Sequence, residues 1–207
     1  MKIIGLLSLV LLSFVGNSFA SENGFVTWQE QRYQNVVKQQ YDFSCGVATL
    51  VTLFNFQFGK QAKEQEILVN YLKEISKEKQ EEITKTGLSL LEIKDVGELE
   101  GFGVYVVKIP FQGLVKTGKP ALVYLEDSKY RHFVVFRGFK KGKVFLADPS
   151  LGNRSLLFDE FIELWKGNIA LFLTSSREKE ITSLDLVPSD WSFPQYQTIQ
   201  NIMNDVH

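Results

Sequence analysis

The stretch from Cys45 to Phe58 is apolar on more than one helical face: Ala48, Leu50, Val51, Leu53, Phe54, Phe56 and Phe58 leave it no consistently polar side. A helix of this kind is buried rather than amphipathic. The rest of the chain must therefore supply the layers that enclose it. Gly59 stops it. Beyond it, Ile67, Leu68, Tyr71, Leu72 and Ile75 fall on one helical stripe and predict a single helix within Gln61 to Lys85. The charged second half of that helix, Lys77 to Glu82, reads as a solvated face or loop. Thr86-Gly87 separates it from a third helix over Ser89 to Leu99, with Leu90, Leu91, Ile93 and Val96 turned inward.

The texture then changes. Phe102 to Ile109, Pro120 to Leu125, His132 to Phe139, Lys143 to Ala147 and Ile169 to Leu173 read as strands, and Lys140-Lys141-Gly142 joins two of them as a hairpin. Asp148 to Gly152 is turn chemistry. Arg154 to Lys166 reads as a strand edge and a short helix holding Phe161, Leu164 and Trp165. Residues 21 to 44 form a polar lead-in, a short helix followed by an extended stretch. From Ser175 the chain is polar, a loosely packed tail on which Trp191 and Phe193 dock. Helices first and antiparallel strands second define an α+β fold, with the helices on one side of the sheet.

Composition narrows the function. Hydrophobic residues make up 44% and charged residues 23% of the 207, ordinary globular values that exclude global disorder, collagen and coiled coil. The formal charge of −1 offers no basic field for nucleic acid. One cysteine excludes an internal disulfide framework and a Cys-rich zinc site. With two histidines, one of them the last residue, no metal and no cofactor is expected.

The first twenty residues read as a signal peptide. Lys2 precedes an apolar run from Ile3 to Val15, and Ser18 and Ala20 place small residues at −3 and −1 of a cut after Ala20. The run is shorter than the roughly 20 residues that span a bilayer. The expected organisation is a signal peptide over 1–20, one domain over 21–175 and a tail over 176–207. The mature chain is expected in the periplasm or outside the cell, with no membrane span. In such a compartment a lone cysteine is either paired with another molecule or a free thiol that calls for a reason.

That thiol stands in Asp42-Phe43-Ser44-Cys45-Gly46, at the start of the buried helix, where unpaired amides favour negative charge. Gly46 reads as leaving room for a substrate backbone. A buried structural cysteine is the competing reading. His132 is the only histidine of the mature chain apart from His207, and so the only internal base for Cys45. Alone it reads equally as a core histidine bonded to backbone. Asp148, sixteen residues on, closes the neighbouring strand of the hairpin, near enough to orient the ring, and is also a turn former. Thiol, imidazole and orienting acid make an activated nucleophile. Gln39 and Gln40 precede the cysteine by six and five residues, and an amide there can join the Cys45 backbone N–H in binding an oxyanion.

Gln39 to Ala48, then His132-Phe133-Val134-Val135 with Gly138, then Asp148-Pro149 with Gly152, resembles the C39 family of papain-like cysteine peptidases, the bacteriocin-processing double-glycine leader peptidases. The resemblance runs over about residues 35 to 173. It implies a papain-like fold, with Cys45 as nucleophile, His132 as base, Asp148 as its orienter and Gln39 in the oxyanion hole, Gln40 being the second choice. Unlike members fused to exporters, this chain is expected to have no transporter domain and to carry a signal peptide. It looks more like free-standing exported members, some of which accompany secreted-fibre or amyloid systems. The implied function is an exported endopeptidase with a peptide or protein substrate, such as a fibre or amyloid subunit. The other reading is a C39-like module that binds leader peptides or subunits without cutting them.

Overall fold

The computed structural model describes residues 27–128, 131–181 and 183–192. The expected signal peptide and Phe193 lie outside them. The described residues begin with a short helix α1 (Trp28–Arg32), followed by the extended lead-in and four helices: α2 (Cys45–Phe58), α3 (Glu64–Lys73), α4 (Lys77–Thr86) and α5 (Leu90–Leu99). The strands follow: β1 (Gly103–Lys108), β2 (Ala121–Glu126), β3 (Arg131–Lys140), β4 (Lys143–Asp148), β5 (Gly152–Leu157) and β6 (Trp165–Thr174). Between strands lie α6 (Phe111–Thr117) and α7 (Phe158–Leu164), and the described tail holds α8 (Pro188–Ser192). The sheet order is β1-β6-β2-β3-β4-β5, with every pairing antiparallel.

The α+β architecture stands, but the sheet is covered on both faces. Val47, Leu50 and Phe54 of α2 pack with Ile67 of α3, Ile93 of α5 and Phe133, Val135 and Leu171 of the sheet. On the opposite face Val123, Val134, Phe136 and Leu146 pack with Leu114 of α6 and Phe161 of α7. Period-two alternation sends Phe133 and Val135 one way and Val134 and Phe136 the other. This explains why β3 is apolar on consecutive residues. α6 had no counterpart in the sequence reading, though Pro110 before it and Gly118 after it mark its ends.

Three other elements differ from expectation. The single helix expected within Gln61 to Lys85 is two, because Ser76 takes an extended conformation and its hydroxyl accepts the Lys79 amide, starting a new helix. Trp165 opens β6 rather than closing a helix, and its indole donates to the Ile169 carbonyl at 2.8 Å. The described part of the tail is fastened rather than loose: Arg137 donates to the Leu184 carbonyl at 3.0 Å and to Asp190 at 2.9 Å, and Leu184 is buried. Trp191 lies under the Lys140 ammonium. Among the described residues, no helix is long and apolar enough to cross a membrane.

α2 ends where Gly59, in the left-handed region at φ 71°, lets its own amide and that of Lys60 reach the carbonyls of Asn55 and Phe54. Its first turn is pressed against α5. A Cβ on Gly46 would stand 2.5 Å from Ile93 Cδ1 and 2.8 Å from its Cγ1. Gly46 therefore serves helix packing, not substrate access. Gly46→Ala is expected to lose about 1–2 kcal/mol in chemical denaturation despite the better helix propensity of alanine, since Ile93 is fully buried and must shift. Unchanged or raised stability would contradict this packing account.

Candidate active site

Cys45 opens α2 and is partly buried. One side chain ties this turn to the sheet: the Thr49 hydroxyl lies 2.7 Å from the Cys45 carbonyl and 2.9 Å from that of Phe133. The strand so tied is the one that carries His132. β3 and β4 pair Val135 with Ala147 after a register shift between Phe136 and Gly138. His132 is the second residue of β3, and Asp148, one step beyond that pair, is the last of β4. His132 Nε2 and Asp148 Oδ1 are 2.7 Å apart. The Cys45 thiol is the other side-chain hydrogen-bond partner of the ring, which leaves Nδ1 to face it.

Asp148 is wholly buried and His132 nearly so. Asp148 Oδ1 also accepts the amides of Ser150 at 2.8 Å and Leu151 at 3.1 Å, while Oδ2 accepts Arg154 Nε at 2.8 Å. Burial works against ionising Asp148, but the hydrogen bond and charge of His132, the charge of Arg154 and the Ser150 amide outweigh it and bring its pKa down to about 2. Burial also works against protonating His132. The hydrogen bonds and charges of Asp148 and Cys45 outweigh it and push the ring up to about 9.

The turn after Asp148 is docked on the lead-in. The Gln39 amide donates to the Pro149 carbonyl at 3.0 Å, the Tyr33 hydroxyl to Ser150 O at 2.5 Å, and Arg32 Nε to Leu151 O. Gly152, at φ 75°, permits the approach: a Cβ there would lie 2.5 Å from the Arg32 carbonyl oxygen. The Gln39 side chain is held at both ends, its Oε1 accepting Ser150 Oγ at 2.7 Å and its Nε2 donating to Tyr41 O at 3.0 Å. Gln40 is exposed, and its backbone amide donates to Glu64 at 3.0 Å. Glu64 is itself buried at the start of α3 and takes the Ser44 hydroxyl; burial raises its pKa against those two bonds.

Cys45 also lines an open groove of about 400 Å³ between the helical layer and the sheet. Leu88, Leu90, Tyr124, Phe133 and Ile169 supply its apolar wall, and Lys79 and Glu82 reach it from α4. The charge run read as a solvated face thus contributes to the groove. Lys79 is paired with Glu92 at 2.6 Å and Glu82 at 3.0 Å. Arg154, Glu64 and Ser150 were also missed in sequence. Arg154 carried a signal: alternation along β5 puts it on the face of buried Leu156, where a charge needs a buried partner. Among the described residues, no cluster of three or more His, Cys, Asp or Glu could hold a metal ion.

A family model described as the Peptidase C39 family matches residues 33–178, a segment containing all four site residues and Arg154. The chain is 31% identical over 157 residues to a protein of Pseudomonas fluorescens described as a probable functional amyloid protease FapD, the match covering 76% of this chain and 68% of that one. A protein of Pseudomonas aeruginosa with the same description is 32% identical over 140 residues, 67% of this chain and 60% of the other. Among solved structures, the peptidase domain of Streptococcus ComA, a bifunctional ABC transporter involved in a quorum-sensing pathway, has a TM-score of 0.57 at 19% identity, covering 70% of this chain and 100% of that domain. That likeness concerns the fold. The chain belongs to the Peptidase C39 family of papain-like fold, and it is a cysteine peptidase.

The raised His132 and depressed Asp148 make stability depend on pH. The His132 contribution is full below its ordinary 6.5 and is lost as pH rises through about 9. The Asp148 contribution is full above its ordinary 3.8 and is lost as pH falls through about 2. Asp148→Asn is therefore expected to cost most between pH 3.8 and 6.5, on the order of 3–5 kcal/mol for breaking a buried pair. The deficit should narrow above pH 9 without closing, because Arg154 loses its partner at every pH. Denaturation curves at pH 6 and pH 9.5 showing equal deficits would refute the coupling.

Proposed function

We propose that this peptidase is exported and cleaves a secreted or fibre-forming peptide substrate by acyl transfer on Cys45. The observation that carries the reading is His132 held between the Cys45 thiol and a buried Asp148. In the proposed cycle the Cys45 sulfur attacks the scissile carbonyl and the carbonyl oxygen becomes an oxyanion. The C–N bond then breaks as His132 passes its proton to the leaving amine. Water hydrolyses the resulting thioester. A ring with a pKa near 9 carries the proton it needs for the first half at neutral pH.

Gln39 is the proposed oxyanion donor, with the Cys45 backbone N–H. Its amide nitrogen carries two hydrogens, of which Tyr41 O takes one. Support for a fibre-forming substrate comes from the two Pseudomonas relatives described as probable functional amyloid proteases. Support for export comes from the Lys2 to Ala20 pattern, which fits placing the enzyme in the periplasm or outside the cell where such a subunit passes.

Turnover of the co-secreted subunit by variants tests the chemistry. Cys45→Ala is expected to bind substrate without cutting it. Gln39→Ala is expected to keep the fold and iodoacetamide labelling of Cys45 but lose roughly 10²-fold or more in turnover, as for one oxyanion donor. Gln40→Ala should change little, because its side chain is exposed. Full activity in both glutamine variants would remove the oxyanion role from the lead-in. Mass analysis of exported protein should find Ser21 at the N-terminus, and an intact Met1 would overturn cleavage after Ala20.

A further inference from the structure

We infer that Arg154 is a positioning residue that limits how tightly Asp148 holds the proton of His132, and that its effect falls on hydrolysis of the acyl-enzyme. The inference rests on the acyl-transfer reading above. Arg154 lies on β5, is 8% exposed and donates from Nε to Asp148 Oδ2 at 2.8 Å. His132 uses the other oxygen, Oδ1. One carboxylate charge is thus divided between an imidazole and a guanidinium. The guanidinium draws charge toward Oδ2 and adds a like charge behind the pair. Both effects lower the proton affinity of the ring relative to the same ring on an unshared carboxylate.

The two halves of the reaction make opposite demands on that ring. In the first half it gives a proton to the leaving amine. In the second it must be neutral: it takes a proton from water while the water oxygen attacks the thioester carbonyl. The C–S bond then breaks, the acid product leaves and the sulfur departs as thiolate beside the imidazolium. In the acyl-enzyme the sulfur is a neutral thioester, so the charge that Cys45 lends to the ring is gone. Asp148 then sets the affinity of the ring, and Arg154 sets how much of Asp148 the ring receives. A ring on an unshared buried carboxylate would recover a proton from solvent and stall hydrolysis.

Among the charged groups near the ring, Arg154 is the guanidinium that hydrogen-bonds Asp148 Oδ2. From α2 the ring meets Cys45, and from β4 it meets Asp148. Tyr33, in the lead-in, is near enough to feel the Asp148 charge, but its hydroxyl donates to Ser150 O. Arg32 is turned to Leu151 O. Arg131, beside His132 in the chain, pairs with Glu126 on β2 at 2.9 Å.

The test is the titration of the His132 ring by NMR in a Cys45→Ala background, which removes the thiolate as acylation does. Arg154→Gln keeps a donor for Asp148 and removes the charge, and it is expected to raise the midpoint by about one pH unit or more. Arg154→Lys keeps the charge and should leave the midpoint within a few tenths of the parent. With Cys45 intact, Arg154→Gln should accumulate a thioester visible by mass at pH 7, with turnover recovering at higher pH, and Arg154→Lys should not. A folded Arg154→Gln variant with an unmoved or lowered midpoint overturns the inference. Should that variant fail to fold, a midpoint moved by a unit in Arg154→Lys overturns it and an unmoved one supports it. The titration needs no substrate. A raised midpoint with no thioester in any variant would uphold the charge sharing and defeat the acyl-transfer reading instead.

Discussion

Asp148 has no exposure to solvent and still carries its charge. An isolated carboxylate in that position would be neutral or would unfold its surroundings. It survives because two cations and two backbone amides converge on it, from His132 on β3, Arg154 on β5 and the Ser150–Leu151 turn. Each partner is thereby fixed in turn. The ring cannot rotate without losing Oδ1, β5 cannot slip against β4 without losing Oδ2, and the turn cannot open without uncovering both. Buried pairs of this kind contribute little net stability, since desolvation consumes most of the attraction, but breaking one is costly. Here the constraint falls on geometry: it sets the ring nitrogen that faces Cys45.

The thiol is placed by a different means. α2 is enclosed by α3, α5 and the sheet, and non-directional apolar packing fixes the helix but leaves its rotation and first turn to be set by polar contacts. Thr49 sets one, bridging the carbonyls of Cys45 and Phe133. Ser44 and Glu64 set another by holding the chain just before the cysteine, so that Ser44 gives its hydroxyl to a buried carboxylate rather than capping α2. The amides of the first turn are thereby left without a side-chain cap, beside the sulfur. The lead-in is held at its other end by the Asp148 turn, through Gln39 and Tyr33. Cys45, His132 and Gln39 thus hang on two buried carboxylates, Asp148 and Glu64.

What sequence could and could not foresee follows from the range of the interactions. The buried α2, the switch to strands and the hairpin through Lys140 to Gly142 were legible because each is a local pattern. The approach of His132 to Asp148 followed from a short hairpin, although the register shift at Phe136 and Gly138 was invisible and moved the pairing by a residue. The break at Ser76 was hidden because the charged run from Lys77 to Glu82 carries no apolar stripe that would reveal a second helix. The second covered face went unread because α6 is only seven residues long, below the length at which helical periodicity declares itself. Glu64 with Ser44 and Gln39 with Ser150 join residues 20 and 111 apart, and no spacing rule reaches across those distances.

The groove wall shows why a charge run can be both solvated and structural. α5 begins with a capping box: the Ser89 amide donates to Glu92 Oε2 at 2.5 Å, and the Glu92 amide reaches back to the Ser89 hydroxyl. The other Glu92 oxygen is taken by Lys79 of α4, whose ammonium is held above its ordinary pKa by Glu92 first and Glu82 second. One nearly buried carboxylate therefore fixes the start of α5 and the position of α4 together, and Leu88 and Leu90 on either side of the cap form the apolar wall opposite Phe133 and Ile169. The groove is bounded by helix starts on the helical side, α2 at Cys45 and α5 at Leu90. Helix starts present amides that fixed polar partners must satisfy. The apolar wall is thus already set by those caps, and the ordering cost of shaping it has been met in folding.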